Sequence, residues 1–129
     1  MTAMTAFFRI AFVWAVFFAY NNLVFWVSLR PSFKVPLYFR HHDKAAHFVV
    51  FAGLYAVTMP AFRMLRAFVT SVEGFSLAWA ALVGALTEVL QRHVPGREAT
   101  VADFVADILG AGTALLAARA MIKLKEKAA

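Results

Sequence analysis

With 129 residues, 63% of them hydrophobic and 16% charged, the chain has the length of one domain and is far more apolar than soluble proteins, whose charged share is about 25%. A soluble domain of this size would leave much apolar surface in water and aggregate, which argues against a soluble globular enzyme. The net charge of +6 and pI of 10.2 do not point to nucleic acid, because the bases sit between apolar runs; anionic phospholipid is the fitting counter-charge.

Ile10 to Leu29 is free of charge and long enough to span hydrocarbon, predicting a first helix over about residues 7–29. It is longer than the apolar region of a signal peptide, and no convincing small-residue cleavage site follows, so a retained helix is expected. A second charge-free stretch, Ala45 to Phe62, predicts a helix over about 44–62. Gly74 to Thr87 is too short to span alone, but its pattern continues through Glu88 to Gln91. Thr70 followed by Glu73 has capping-box spacing, placing helix three at about 71–91. Pro95-Gly96 turns the chain, and Thr100 with Asp103 repeats the capping pattern to open helix four over about 101–121.

Short loops and helices that are apolar all round predict an all-α, integral membrane, four-helix antiparallel bundle formed as a single domain over 1–129. Ala102, Ala106, Gly110, Ala114 and Ala118 form a stripe at intervals of four, which lets a neighbouring helix approach closely, as Gly84 and Ala81 do on helix three. The plainer reading is that alanine is simply a good helix former. The N-terminal end, second loop and C-terminal tail carry seven Lys and Arg against six in the first and third loops. Treating Lys44 and Arg97 as site residues makes this seven against four, so both termini are expected in the cytoplasm.

Both loops on the far side lead into ionisable residues at helix ends. Asp43 and His47 are four apart, Glu88 and Gln91 three, and Asp103 and Asp107 four, so each pair shares a helical face. Lys44, Arg92 and Arg97 lie beside them. An ionised carboxylate facing lipid costs several kcal/mol, so Glu88 and Asp107 should face inward and pair, with Lys44, Arg97, Arg92 and His47 as available partners. Asp43 and Asp103 have an alternative reading as helix caps, Lys44, Arg40 and Arg92 as interfacial anchors, and His47 as a structural hydrogen-bonding group. His41 and His42 read as solvated loop histidines, and His93 carries no specific signal. No metal or other cofactor is expected, because no compact ligand motif is present and nearby Lys and Arg neutralise the acids. Haem ligation by His47 and His93 lacks paired histidines deep in facing helices. Ser71 and Ser76 fall toward the opposite leaflet, which leaves nucleophilic catalysis little support.

The strings DKAAHFVVFAGL (Asp43 to Leu54) and TEVLQRHVPGREATVADFVADILGAG (Thr87 to Gly112) resemble the VanZ-like family of small multi-pass bacterial membrane proteins. Its pattern falls on Asp43, Lys44, His47, Glu88, Gln91, Pro95, Arg97, Thr100, Asp103, Asp107 and Gly110. Thr100 stands where serine is usual, and Asp107 where asparagine is more usual. The resemblance implies the bacterial inner membrane and a cell-envelope role, including reduced glycopeptide susceptibility (antibiotic resistance) in the family's namesake. The function expected is recognition of an envelope lipid or glycan-linked molecule at the outer leaflet by Asp43, Lys44, His47, Glu88, Gln91, Arg97, Asp103 and Asp107. The rival reading is a membrane-embedded enzyme acting on a lipid-linked phosphate or glycan, with His47 or Glu88 as general acid or base. A third is that the cluster only zips the bundle shut. Membrane lipids are the partners expected in every case, and nucleic acid is not.

Overall fold

A computed structural model describes residues 3–31, 42–97 and 99–128. Lys34, Arg40 and His41 lie outside the described residues, as does the side chain of His42. The described chain forms four helices and no strand: α1 (Ala3–Ser28), α2 (His42–Arg63), α3 (Val72–Gln91) and α4 (Val101–Ala128). All four are long and apolar enough to cross a membrane. Even the shortest, α3 with 20 residues, reaches about 30 Å, the thickness of a hydrocarbon core. The expected all-α membrane bundle is therefore what the chain forms.

Burial runs opposite to that of a water-soluble protein. Phe7, Phe18, Leu82 and Leu116 point outward, whereas Asn21, His47, Thr58, Ser76, Thr87, Glu88, Asp103 and Asp107 are buried. Around acyl chains this is the favourable arrangement, because apolar side chains lose nothing in lipid and polar ones need internal partners. The apolar centre joins Phe51, Leu54 and Tyr55 of α2 to Ala80 and Val83 of α3, Ala111 and Leu115 of α4, and Val24 of α1.

Two ends differ from the sequence expectation. Both α1 and α4 run past their apolar stretches, to Ala3 and Ala128, because the flanking residues are good helix formers that continue the hydrogen-bond ladder into the polar zone. The cap of α3 is Ser71, whose hydroxyl accepts from the Gly74 N–H at 3.1 Å. Thr70 and Glu73 therefore do not form the expected capping box. Glu73 instead pairs with Arg119 and ties α3 to α4 at the end away from the carboxylate cluster. The cap of α4 is as expected: Thr100 Oγ1 accepts from the Asp103 N–H at 3.2 Å.

The C-terminal ends of α1 and α3 meet the N-terminal ends of α2 and α4, so the helices alternate in direction and α2 runs parallel to α4. These two form the most extensive contact of the bundle. Gly110 permits it, since a Cβ there would overlap the backbone carbonyl of Phe48. Of the predicted small-residue stripe, Ala106 and Gly110 are buried, Ala114 and Ala118 half-buried, and Ala102 exposed. The outer helix, α1, is held by polar contacts along the span. Tyr20 donates to the Val50 carbonyl, and Trp79 Nε1 donates to Asn21 Oδ1, each at 3.0 Å.

Candidate functional site

At the end of the bundle where α2 and α4 begin and α3 ends, ionisable side chains from all three helices meet. Asp43, Lys44 and His47 come from the first two turns of α2, Glu88 and Gln91 from the last turn of α3, and Asp103 and Asp107 from the first two turns of α4. The turn after α3 places Gly96 at a φ of 77° and brings Arg97 back over the cluster.

Lys44 and Arg97 each have a defined partner. Lys44 Nζ donates to Asp103 Oδ1 at 3.0 Å, and the other oxygen of Asp103 accepts from Thr100 Oγ1 at 2.6 Å. Asp103 is thus both the cap partner of α4 and the counter-ion of α2, which joins two readings the sequence offered as alternatives. The Lys44 side chain is 41% exposed and Asp103 only 2%, so the ammonium sits at the rim with its carboxylate beneath. Arg97 Nη1 lies 3.6 Å from Asp43 Oδ1.

Deeper in the bundle, His47 Nδ1 and Asp107 Oδ1 are 2.8 Å apart. An ionised carboxylate can only accept, so Nδ1 carries the proton when Asp107 is charged. Gly84 leaves room for the second oxygen, Asp107 Oδ2, which lies 3.0 Å from where a Cβ on that glycine would be. Among the described residues that oxygen has no hydrogen-bond partner, and neither has Glu88 Oε1 or Oε2. The Thr100 backbone N–H approaches Glu88 without reaching hydrogen-bonding geometry. Glu88 and Asp107 face inward as expected, but only Asp107 pairs. Among the described residues the expected ion pair for Glu88 does not form, because Lys44 is taken by Asp103 and Arg97 by α1 and Asp43, while Arg92 stays exposed.

Gln91 and Arg97 are turned toward α1. Gln91 Nε2 donates to the Ser28 carbonyl at 3.0 Å, and Arg97 donates through Nε to the Arg30 carbonyl and through Nη2 to the Val27 carbonyl, each at 3.0 Å. The last carbonyls of a helix lack intrahelical donors, and cations and amides there satisfy them. Both side chains therefore fasten the end of α1 beside the cluster. The sequence carries no signal of this, since the acceptors are backbone oxygens common to every residue.

Openings among the described residues reach the cluster. A cavity of about 270 Å³ between α3 and α4 is lined by Ala85, Glu88, Arg92, Thr100, Val101 and Phe104. A smaller one of about 50 Å³ between α1 and α2 touches Ser28, Asp43, His47 and Arg97. The arrangement thus combines an accessible ammonium, an exposed guanidinium, and buried carboxylates with spare acceptor capacity.

No match emerges among curated proteins or among solved structures. The family model described as VanZ/LLP1 matches residues 2–123, nearly the whole chain and all four helices. With four helices able to span a membrane and a family match over nearly its whole length, this multi-pass membrane protein belongs to the VanZ/LLP1 family.

Proposed function

We propose that the polar end of the bundle recognises an envelope lipid or lipid-linked glycan at the outer leaflet of the bacterial inner membrane. The observation that carries this reading is the cavity between α3 and α4, lined by the exposed Arg92 and by Glu88, which has no hydrogen-bond partner among the described residues, next to the Lys44–Asp103 pair. Lys44 and Arg92 are donors suited to a phosphate or carboxylate, and Glu88 accepts from sugar hydroxyls or an amine. Asp43, His47, Asp103 and Asp107 position these groups, and Gln91 and Arg97 close the site against α1. Reduced glycopeptide susceptibility is the cellular consequence that the family suggests.

Native mass spectrometry of the detergent-purified protein tests the reading. Wild type should carry a co-purifying envelope lipid, and Lys44→Ala should lose it while remaining folded in the membrane. Equal lipid occupancy in both would remove the ligand reading.

The buried Glu88 beside a cavity also favours a second reading, general acid–base catalysis on a lipid-linked phosphate. Product released from a labelled polyprenyl phosphate by wild type, and not by Glu88→Gln, would establish it; binding without turnover supports recognition alone.

The outer-leaflet assignment rests on both termini being cytoplasmic. A reporter enzyme active only outside the cytoplasm should work when fused after Pro95 and be silent after Arg66. The opposite pattern would place the site at the cytoplasmic face.

A further inference from the structure

We propose that His47, Glu88 and Asp107 form a binding site for a divalent transition-metal cation such as Mn²⁺ or Zn²⁺. One nitrogen of His47 and one carboxylate oxygen each of Glu88 and Asp107 lie within 4.8 Å of one another. Ligands at about 2.0–2.2 Å from a shared ion stand at most about 4.4 Å apart, so inward shifts of a few tenths of an ångström complete the set.

Burial makes this more than an acidic cluster. Glu88 is 7% exposed, Asp107 0% and His47 8%, and three of the four carboxylate oxygens have no hydrogen-bond partner among the described residues. Asp107 has only the His47 imidazole beside it and Glu88 has no ion-pair partner among the described residues, a costly arrangement in a low-dielectric bundle that a divalent ion between them would offset at both carboxylates at once. The sequence argument against a metal was that Lys and Arg neutralise the acids. Among the described residues they do so for Asp103 and Asp43, and not for Glu88 or Asp107.

A second triplet, Asp43, His47 and Asp103, is equally compact. Its acids are already engaged by Arg97, Lys44 and Thr100, so the deeper set is the one with free ligand atoms. One imidazole with two carboxylates is a mixed nitrogen–oxygen set, which suits Mn²⁺ or Zn²⁺ better than calcium or magnesium. Three protein ligands leave positions open beside the cavity that Glu88 lines. The inference stands independently of the envelope-ligand reading, because the cation alone is the probe.

The full chain in detergent is stripped with chelator and titrated with MnCl₂, following loss of the free-ion electron paramagnetic resonance signal, with ZnCl₂ as competitor. One Mn²⁺ per chain is expected, displaced by Zn²⁺. Glu88→Gln and Asp107→Asn should each weaken binding more than tenfold, since even groups that only orient a ligand are worth about 10–100-fold. Glu126→Gln, an exposed carboxylate near the far end of α4, should leave binding unchanged. The bound Mn²⁺ of wild type should show coupling to a single imidazole nitrogen, a readout that requires no variant to fold. Absence of stoichiometric binding by helical, monodisperse wild type would overturn the proposal. So would retention of full affinity in folded Glu88→Gln, or a bound signal lacking nitrogen coupling.

Discussion

Gly110→Ala should loosen the bundle at its most extensive contact, lowering stability by about 1–3 kcal/mol in detergent unfolding followed by circular dichroism. The added methyl meets the backbone carbonyl of Phe48, and a backbone atom cannot swing aside as a side-chain tip can. α2 and α4 must then separate. That movement would also pull Lys44 from Asp103 and His47 from Asp107, since both pairs bridge the same two helices. Gly110→Leu should go further and deplete the protein from the membrane fraction. Gly112→Ala provides the contrast, because a Cβ there meets nothing within 4 Å and the variant should unfold like wild type. Equal stability of Gly110→Ala and wild type would show that the helices do not pack this closely.

Two buried carboxylates should respond in opposite ways when truncated in metal-free detergent. Asp107→Ala removes the hydrogen-bonded partner of His47 and leaves a cavity in a fully buried position, so a loss of about 3–5 kcal/mol is expected. Glu88→Leu removes a side chain whose two oxygens have no hydrogen-bond partner among the described residues and replaces it with one at ease beside Val89 and Phe104. Its stability should equal or exceed that of wild type. The same variant should lose lipid occupancy and metal binding. A residue whose removal stabilises the protein while abolishing its activity is retained for function. If Glu88→Leu instead removes the protein from membranes, the cluster serves only to hold the bundle together.

How far the sequence could be read depended on the kind of partner each residue has. Apolar runs define the four helices because hydrocarbon imposes a length on any spanning segment. Spacing placed Asp43 with His47 and Asp103 with Asp107 on shared faces, and those faces do converge. The capping pair Thr100 and Asp103 was legible because its geometry is local. Partner choice was not legible. Several acids and cations near one end allow many pairings, and only the packing of α2 on α4 assigns Lys44 to Asp103 and leaves Glu88 without an ion pair among the described residues. The Glu73–Arg119 pair was likewise invisible, since it needs the relative height of α3 and α4. Ser71 displaced Thr70 as a cap because two adjacent hydroxyls offer the same chemistry to the first turn.

The attachment of α1 bears on how this chain tolerates change. Gln91 and Arg97 grasp the main-chain oxygens of Val27, Ser28 and Arg30, and no side chain of those residues takes part in these bonds. The grip is therefore indifferent to which amino acids stand there. Substitutions on that stretch of the first helix can accumulate without releasing it, whereas changing either donor frees the helix end at once. Selection would then act on the clasp rather than on what it holds, and a diverging first helix is compatible with an unchanged polar end.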